Sequence, residues 1–319
     1  MAKLIKKISK SLFKRTPWWD KYDSKYFLYL WYRFRKHPYF KYVDLEFTSC
    51  CDLRCIYCTL DSSRKKGFMP LKLYEEILQY IVDNNRKRIT IEGLSLHNGG
   101  ETLLHPKFCR MMEILGKKRK ITNNFPETAL LTNATTLNSE KTACILNTEC
   151  VDFMRFSVDG GTKESFERIR KGAKWEKILA NIHSFLDENS KKKNPVKTGM
   201  ISIFDEANPP LSDEFNDLIK RVDIYWPRRP HNFNGSKNMG LGPFEKKTGL
   251  CNLVPIMVAI LYDGTVSPCC NDLNGSGIIG DLNTEDLAQI FFGKPRSSII
   301  EKMAHHKRRD IELCKDCAL

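Results

Sequence analysis

From Tyr42 to Trp226 apolar positions switch repeatedly between a spacing of two and a spacing near three and a half, the signatures of strand and helix. Val43–Phe47 predicts a strand, Leu71–Ile81 a helix, Ile89–Leu96 a strand and Pro106–Leu115 a helix. Thr128–Leu131 and Asp152–Val158 predict further strands, with a helix near Ser139–Leu146 between them. Helices follow at Thr162–Ile169 and Trp175–Leu186, then a strand at Gly199–Phe204, a helix at Ser212–Arg221 and a sixth strand at Val222–Trp226. Parallel strands need crossover connections, so six β/α units in succession predict an α/β fold, an open or partial (β/α)6 barrel with its helices outside. Such sheets carry their chemistry at the C-terminal strand ends, so ligands are expected in the loops that follow the strands.

Pro, Gly and Asn break this rhythm between Arg228 and Gly249, as a linker or long functional loop would. Beyond it, Ile256–Tyr262, Asp263-Gly264 and Thr265–Ser267 read as a hairpin, with short helices near Thr284–Phe292 and Arg296–His305. Three segments result: an extension, residues 1–42; a barrel, residues 43–226; and a linker with a smaller C-terminal unit, residues 227–319.

Charge sets the extension apart. The chain has 319 residues and a net charge of +14, and residues 1–42 hold twelve Lys/Arg against Asp20 and Asp23, or +10. The same stretch carries thirteen aromatics, among them Trp18, Trp19, Tyr29 and Trp31. Packing of those aromatics on the main domain is the first expectation, peripheral contact with an anionic membrane the second, and nucleic acid a distant third. Hydrophobic residues at 41% and charged residues at 28% exclude a wholly disordered chain. The longest uncharged apolar run, Leu253–Tyr262, is half of the roughly 20 residues that span a bilayer, and no secretory signal is apparent. A cytoplasmic protein is expected.

Twelve cysteines are too few for a disulfide scaffold, so their spacing carries the meaning. Cys51-Asp52-Leu53-Arg54-Cys55-Ile56-Tyr57-Cys58 puts three thiols on the loop after the first strand. Soft thiolates this close suit an iron–sulfur cluster or zinc, and three ligands leave a metal position open. Cys251, Cys269, Cys314 and Cys317 form a second group, gathered by the hairpin and a Cys-x2-Cys, that would close a tetrahedral site. Spacing alone leaves zinc and [4Fe–4S] open there. Cys109 and Cys144 fall in helical patterns and read as small buried hydrophobes; His97 and His105 read as packing or turn residues rather than ligands.

With its Cys-x3-Cys-x2-Cys loop, Gly99-Gly100-Glu101 after the second strand, Thr132-Asn133 after the third and Ser157-Val158-Asp159-Gly160 at the end of the fourth, the chain resembles the radical S-adenosylmethionine enzymes. The resemblance implies a [4Fe–4S] cluster on Cys51, Cys55 and Cys58 whose open iron is chelated by S-adenosylmethionine. It further implies Tyr57 near the adenine, Gly99, Gly100 and Glu101 at the methionine end, and Asn133, Ser157 and Arg170 as further cofactor contacts. Asp52 departs from the Asn usual after the first cysteine. The C-terminal thiols resemble a twitch domain, the shorter form of the SPASM domain, which implies one auxiliary [4Fe–4S] cluster on Cys251, Cys269, Cys314 and Cys317.

These likenesses imply hydrogen abstraction from a substrate C–H bond, with a one-electron donor such as flavodoxin or ferredoxin. Dehydrogenation or epimerisation of a carbohydrate or aminoglycoside-like molecule is the first expectation, with Cys270 a candidate hydrogen-atom donor. Maturation of a ribosomally made peptide is the alternative, and a non-enzymatic zinc protein binding nucleic acid a distant third. His231-Asn232-Phe233-Asn234-Gly235 is a candidate substrate-contacting loop.

Overall fold

The computed structural model describes residues 29–30, 34–60, 64–204, 210–230, 232 and 251–318. Most of the basic extension, and all of the 231–235 loop except Asn232, lie outside the described residues. Six parallel strands run in chain order across one sheet: β1 (Tyr39–Leu45), β3 (Thr90–Leu96), β4 (Glu127–Thr132), β5 (Phe153–Ser157), β7 (Lys197–Ile203) and β8 (Ile224–Arg228). Six helices lie in the five crossovers, two of them in the one from β5 to β7: α1 (Leu71–Asn84), α2 (Phe108–Arg119), α3 (Ser139–Thr148), α4 (Lys163–Ile169), α5 (Trp175–Ser190) and α6 (Asp213–Arg221). Because the strand order is monotonic and such crossovers are right-handed, every helix falls on the same face of the sheet. This is the expected partial (β/α)6 barrel.

Alternation along each strand divides the two faces. Val43 and Leu45, Leu94 and Leu96, Leu130, Met154 and Phe156 belong to the core with Leu73, Tyr74, Ile77, Leu78 and Ile81 of α1 and Met111 and Leu115 of α2. Each fully buried side chain of this kind contributes roughly 1.5–3 kcal/mol. The opposite face carries Asp44, Ser95, Phe153 and Arg155. Helix starts are marked as the sequence suggests: Asn138 accepts from Lys141 N, Thr162 from Ser165 N and Ser212 from Phe215 N.

The C-terminal hairpin is not a free-standing unit. β9 (Met257–Ile260) pairs in parallel with β1, and β10 (Thr265–Ser267) and β11 (Gly280–Asp281) extend the sheet antiparallel beyond it. The Asp263-Gly264 turn has its glycine at φ +93°, a conformation costly for any residue with a Cβ. Two helices, α7 (Leu287–Phe292) and α8 (Lys294–Ala304), complete this unit. Tyr29, from the extension, is fully buried with Cys251, Cys269, Cys314, Val254 and Met303, so at this residue the extension packs as expected.

Two features were not anticipated. A two-stranded ladder joins β2 (Arg54–Cys55) to β6 (Arg170–Lys171), each too short for any periodicity to register. Cys109 and Cys144 are joined by a disulfide, with Cα atoms 5.3 Å apart, which corrects their reading as separate buried thiols. They lie on α2 and α3, which pack side by side, and a separation of 35 residues gave no hint of the pairing. No helix among the described residues is long and apolar enough to cross a membrane.

Candidate active site

Three buried carboxylates stand where strands end and hold the loops that carry the candidate cofactor residues. Glu46, just past β1 and fully buried, is bound by both arms of Arg64, Nη1 to Oε1 at 2.8 Å and Nη2 to Oε2 at 2.6 Å. It also accepts from Gly99 N at 3.0 Å and from Tyr262 N, in the hairpin, at 3.0 Å. Glu101 accepts from Thr132 Oγ1 at 2.6 Å, Asn133 N at 2.8 Å and Leu103 N at 3.2 Å. Burial lifts its carboxyl to about 6, against the pull of those hydrogen bonds. Asp159 accepts from Tyr57 Oη, from Arg170 Nε at 2.6 Å and from Ile203 N at 2.7 Å.

The three-thiol loop is pinned along its length. Cys55 pairs with Arg170 in the small ladder, and Ile56 N donates to Ile169 O at 2.9 Å. Asn133 Nδ2 donates to Asp52 Oδ1 at 3.1 Å and lies 4.0 Å from Cys51 Sγ, so Asp52 finds its partner in Asn133 across the loop. Asn133 Oδ1 is held by Thr135 N and Oγ1, which fixes the orientation of the amide. Leu60 N donates to Cys58 Sγ at 3.5 Å.

Gly100 is glycine for a reason other than room for a ligand. A Cβ there would sit 2.1 Å from Thr48 O and 2.6 Å from Cys50 O, while Glu101 N donates to Cys50 O at 2.8 Å. The missing Cβ therefore lets the Gly-Gly-Glu loop seat on the backbone leading into the cysteines. Tyr57 and Arg170 are also engaged inside the protein: Arg170 Nη2 donates to Tyr57 Oη at 2.8 Å, and both residues are buried with Asp159. Ser157 is half-buried at the C-terminal end of β5.

Three of the second group of thiols share one buried cluster: Cys251, Cys269 and Cys314 lie there with Tyr29, and Cys317 acts electrostatically on Cys314. Sulfurs accept from backbone amides, Leu253 N to Cys251 at 3.3 Å and Asn271 N to Cys269 at 3.4 Å, the kind of contact that tunes an iron–sulfur centre. Tyr29 Oη donates to Cys251 O at 2.9 Å, a contact that no spacing in the sequence signals. Asn232, from the candidate substrate loop, instead donates to Asp316 O at 2.7 Å and accepts from Ala318 N at 3.0 Å, bracing the backbone around Cys317.

Among the described residues no three Cys, His, Asp or Glu side chains stand together as a metal-holding group, so binding a cluster would draw the thiols of either set inward. Burial pushes the Cys51 and Cys314 thiols up to about 12, and neighbouring cysteines raise them further, so these groups ionise together only when a metal centre offsets their charge.

The sequence model of the radical SAM superfamily matches residues 45–216, and that of the SPASM iron-sulfur cluster-binding domain matches residues 251–318. The chain belongs to the radical SAM superfamily, with a SPASM-type auxiliary domain, and its cofactors are [4Fe–4S] clusters and S-adenosylmethionine. It is therefore an enzyme. Among curated proteins it is similar to a GTP 3',8-cyclase from Clostridium botulinum, 25% identical over 186 residues that cover 57% of this chain. It spans about half, 54%, of that relative's length. Among solved structures, BtrN in complex with AdoMet and 2-DOIA superposes with a TM-score of 0.60 at 16% identity, covering 89% of this chain and 94% of that one. Streptococcus suis SuiB bound to precursor peptide SuiA gives 0.66 at 14% identity, covering 92% and 73%. These likenesses establish the fold.

Removing the carboxylate in Asp159→Ala leaves the Arg170 charge buried without its ion-pair partner and is expected to cost about 3–5 kcal/mol, read from urea unfolding. Gly100→Ala is expected to displace the Gly-Gly-Glu loop from Thr48 and Cys50, so that iron bound per chain after anaerobic reconstitution falls while helix content by circular dichroism is retained.

Proposed function

We propose that this enzyme abstracts a hydrogen atom from a C–H bond of a carbohydrate or aminoglycoside-like molecule and completes a dehydrogenation or an epimerisation. In this reading Cys51, Cys55 and Cys58 hold the cluster that binds S-adenosylmethionine, and Cys251, Cys269, Cys314 and Cys317 hold the auxiliary one. When bound, these cofactors supply a 5'-deoxyadenosyl radical able to take hydrogen from an unactivated carbon. Gly99, Gly100, Glu101, Asn133, Ser157, Tyr57 and Arg170 shape the S-adenosylmethionine site. Tyr57, Asp159 and Arg170 act as a buried strut beneath the cysteine loop, so that the sulfonium and the substrate keep a fixed separation.

The observation that carries the substrate class is the group of polar side chains, Asp44, Ser95 and Arg155, on an inner face otherwise lined by Ala129, Leu131, Phe153, Ile201 and Trp226. The BtrN structure, whose ligand is 2-DOIA, covers nearly the same length as this chain and supports the reading. Peptide maturation is the second reading, favoured by the fold match to SuiB with its precursor peptide. Cys270 follows Cys269 and interacts electrostatically with Asp44 of the inner face, which supports its candidacy as the hydrogen-atom donor. A reductant such as flavodoxin or ferredoxin, a cytoplasmic setting and a membrane-surface role for residues 1–42 belong to the same proposal. So does the division into barrel and auxiliary unit at residues 226 and 227.

Changing Cys51, Cys55 or Cys58 to Ala is expected to abolish 5'-deoxyadenosine formation, whereas Cys314→Ala spares part of it and loses product; formation in all three variants refutes the first assignment. If Cys270 returns hydrogen in an epimerisation, the product carries deuterium when the reaction is run in deuterium oxide and Cys270→Ala loses that label. An unaffected variant removes this thiol from the mechanism.

A further inference from the structure

The inner face of the sheet and the loop after β3 hold polar groups whose hydrogen-bonding capacity the protein uses only in part. Asp44 on β1 stands opposite Ser95 on β3, and Ser95 stands opposite Ala129 on β4. Ala129 carries only a methyl group, and the long Arg155 side chain reaches over it from β5, bringing Nη2 to 3.5 Å from Ser95 Oγ. The Arg155 Nε atom is buried with no hydrogen-bond partner. An unmet buried donor costs roughly 1–3 kcal/mol, more on a charged group. Arg155 and Asp44 feel each other's charge. Ser95 hydrogen-bonds to Asp44 as well as to Arg155, so the serine hydroxyl bridges the two groups and Arg155 Nε is the donor left over for a ligand oxygen.

The next residue up the same face of β3 adds to the group. His97 is held neutral, lowered to about 3 by burial and then by the Arg155 charge, and its Nδ1 has no partner. Asn98 beside it has both side-chain amide atoms buried and unpaired. By contrast, His105 is satisfied, bonded through Nε2 to Met69 O and through Nδ1 to Lys107 N, as a structural histidine should be. Phe153 and Trp226, in edge-to-face contact, supply an apolar wall on the β5–β8 side.

We infer that Asp44, Ser95, Arg155 and His97 form a polar clamp for an uncharged, polyhydroxylated small molecule. Burial disfavours charge here, lifting the Asp44 carboxyl to about 7 and lowering the Arg155 guanidinium, which favours an uncharged ligand. Arg155 Nε donates to one hydroxyl oxygen while Asp44 accepts the proton of a neighbouring one, a division of labour that a vicinal diol meets. A peptide backbone has no matching pair of adjacent hydroxyls. The inference rests on the proposed function and narrows its substrate class.

Binding tests it without turnover. Saturation-transfer NMR on the cluster-loaded full chain, without S-adenosylmethionine, would use myo-inositol, scyllo-inositol, D-glucose and a neutral Ala-Gly-Ser hexapeptide as probes. At least one polyol is expected to bind, and Asp44→Asn and Arg155→Met are each expected to weaken it roughly tenfold, the worth of one hydrogen bond to a charged group. Arg155→Lys, which keeps the charge but lacks Nε–H, is expected to weaken it too, and unchanged iron content and circular dichroism would exclude misfolding. No polyol binding, binding indifferent to these substitutions, or binding of the hexapeptide alone overturns the inference. Formation of 5'-deoxyadenosine by the wild-type protein with dithionite reports separately on the radical chemistry: if it occurs while the polyols fail, the clamp is wrong and the wider reading stands.

Discussion

The Glu46 carboxylate is the constraint on which the arrangement depends. It lies at the C-terminal end of β1 with essentially no contact with water, and an ion so placed persists only if its oxygens are fully hydrogen-bonded. Its partners come from three separate stretches of chain: the guanidinium of Arg64 beyond the cysteine loop, the amide of Gly99, and the amide of Tyr262 in the hairpin. Arg64 in turn reaches Leu273 O at 2.5 Å. One buried charge therefore ties the first cysteine loop, the Gly-Gly-Glu loop and the auxiliary unit to a common point. Parallel pairing of β9 with β1 gives that tie a rigid base.

Glu101 and Asp159 repeat the device farther across the sheet. All three acids follow strands, and all three bind backbone amides as well as side chains. A loop held only by apolar contact can slide; one whose amides point at a fixed carboxylate keeps its register. The sites expected to carry the clusters thus sit on irregular segments without being loosely held.

Much of this was legible in the sequence because apolar periodicity survives wherever a strand or helix is long and one-sided. The six barrel strands, their helices and the Asp-Gly hairpin all met that condition. The ladder between Arg54–Cys55 and Arg170–Lys171 did not, since two residues have no period. Roles that depend on long-range meeting were read only in part. Asp159 stood out as a strand-end acid, but its bonds to Tyr57 and Arg170 arise because α4 returns beside the cysteine loop. Glu46 had a usable signal: with Asp44 it alternates polar against Val43, Leu45 and Phe47, which marks a strand with a polar inner face. Arg155, a lone charge between Met154 and Phe156, carried the same mark. The Cys109–Cys144 pairing had none, because which helices become neighbours is a property of the assembled barrel.

Tyr29 closes the auxiliary site with a side chain 222 positions away from the carbonyl it binds. Ribosomal synthesis delivers Tyr29 early and Cys314 and Cys317 late, so this pocket has no complete wall until nearly the whole described chain has emerged. If Cys251, Cys269, Cys314 and Cys317 hold a cluster as proposed, its enclosure by Tyr29 requires closure of a very long loop, whose entropy opposes it.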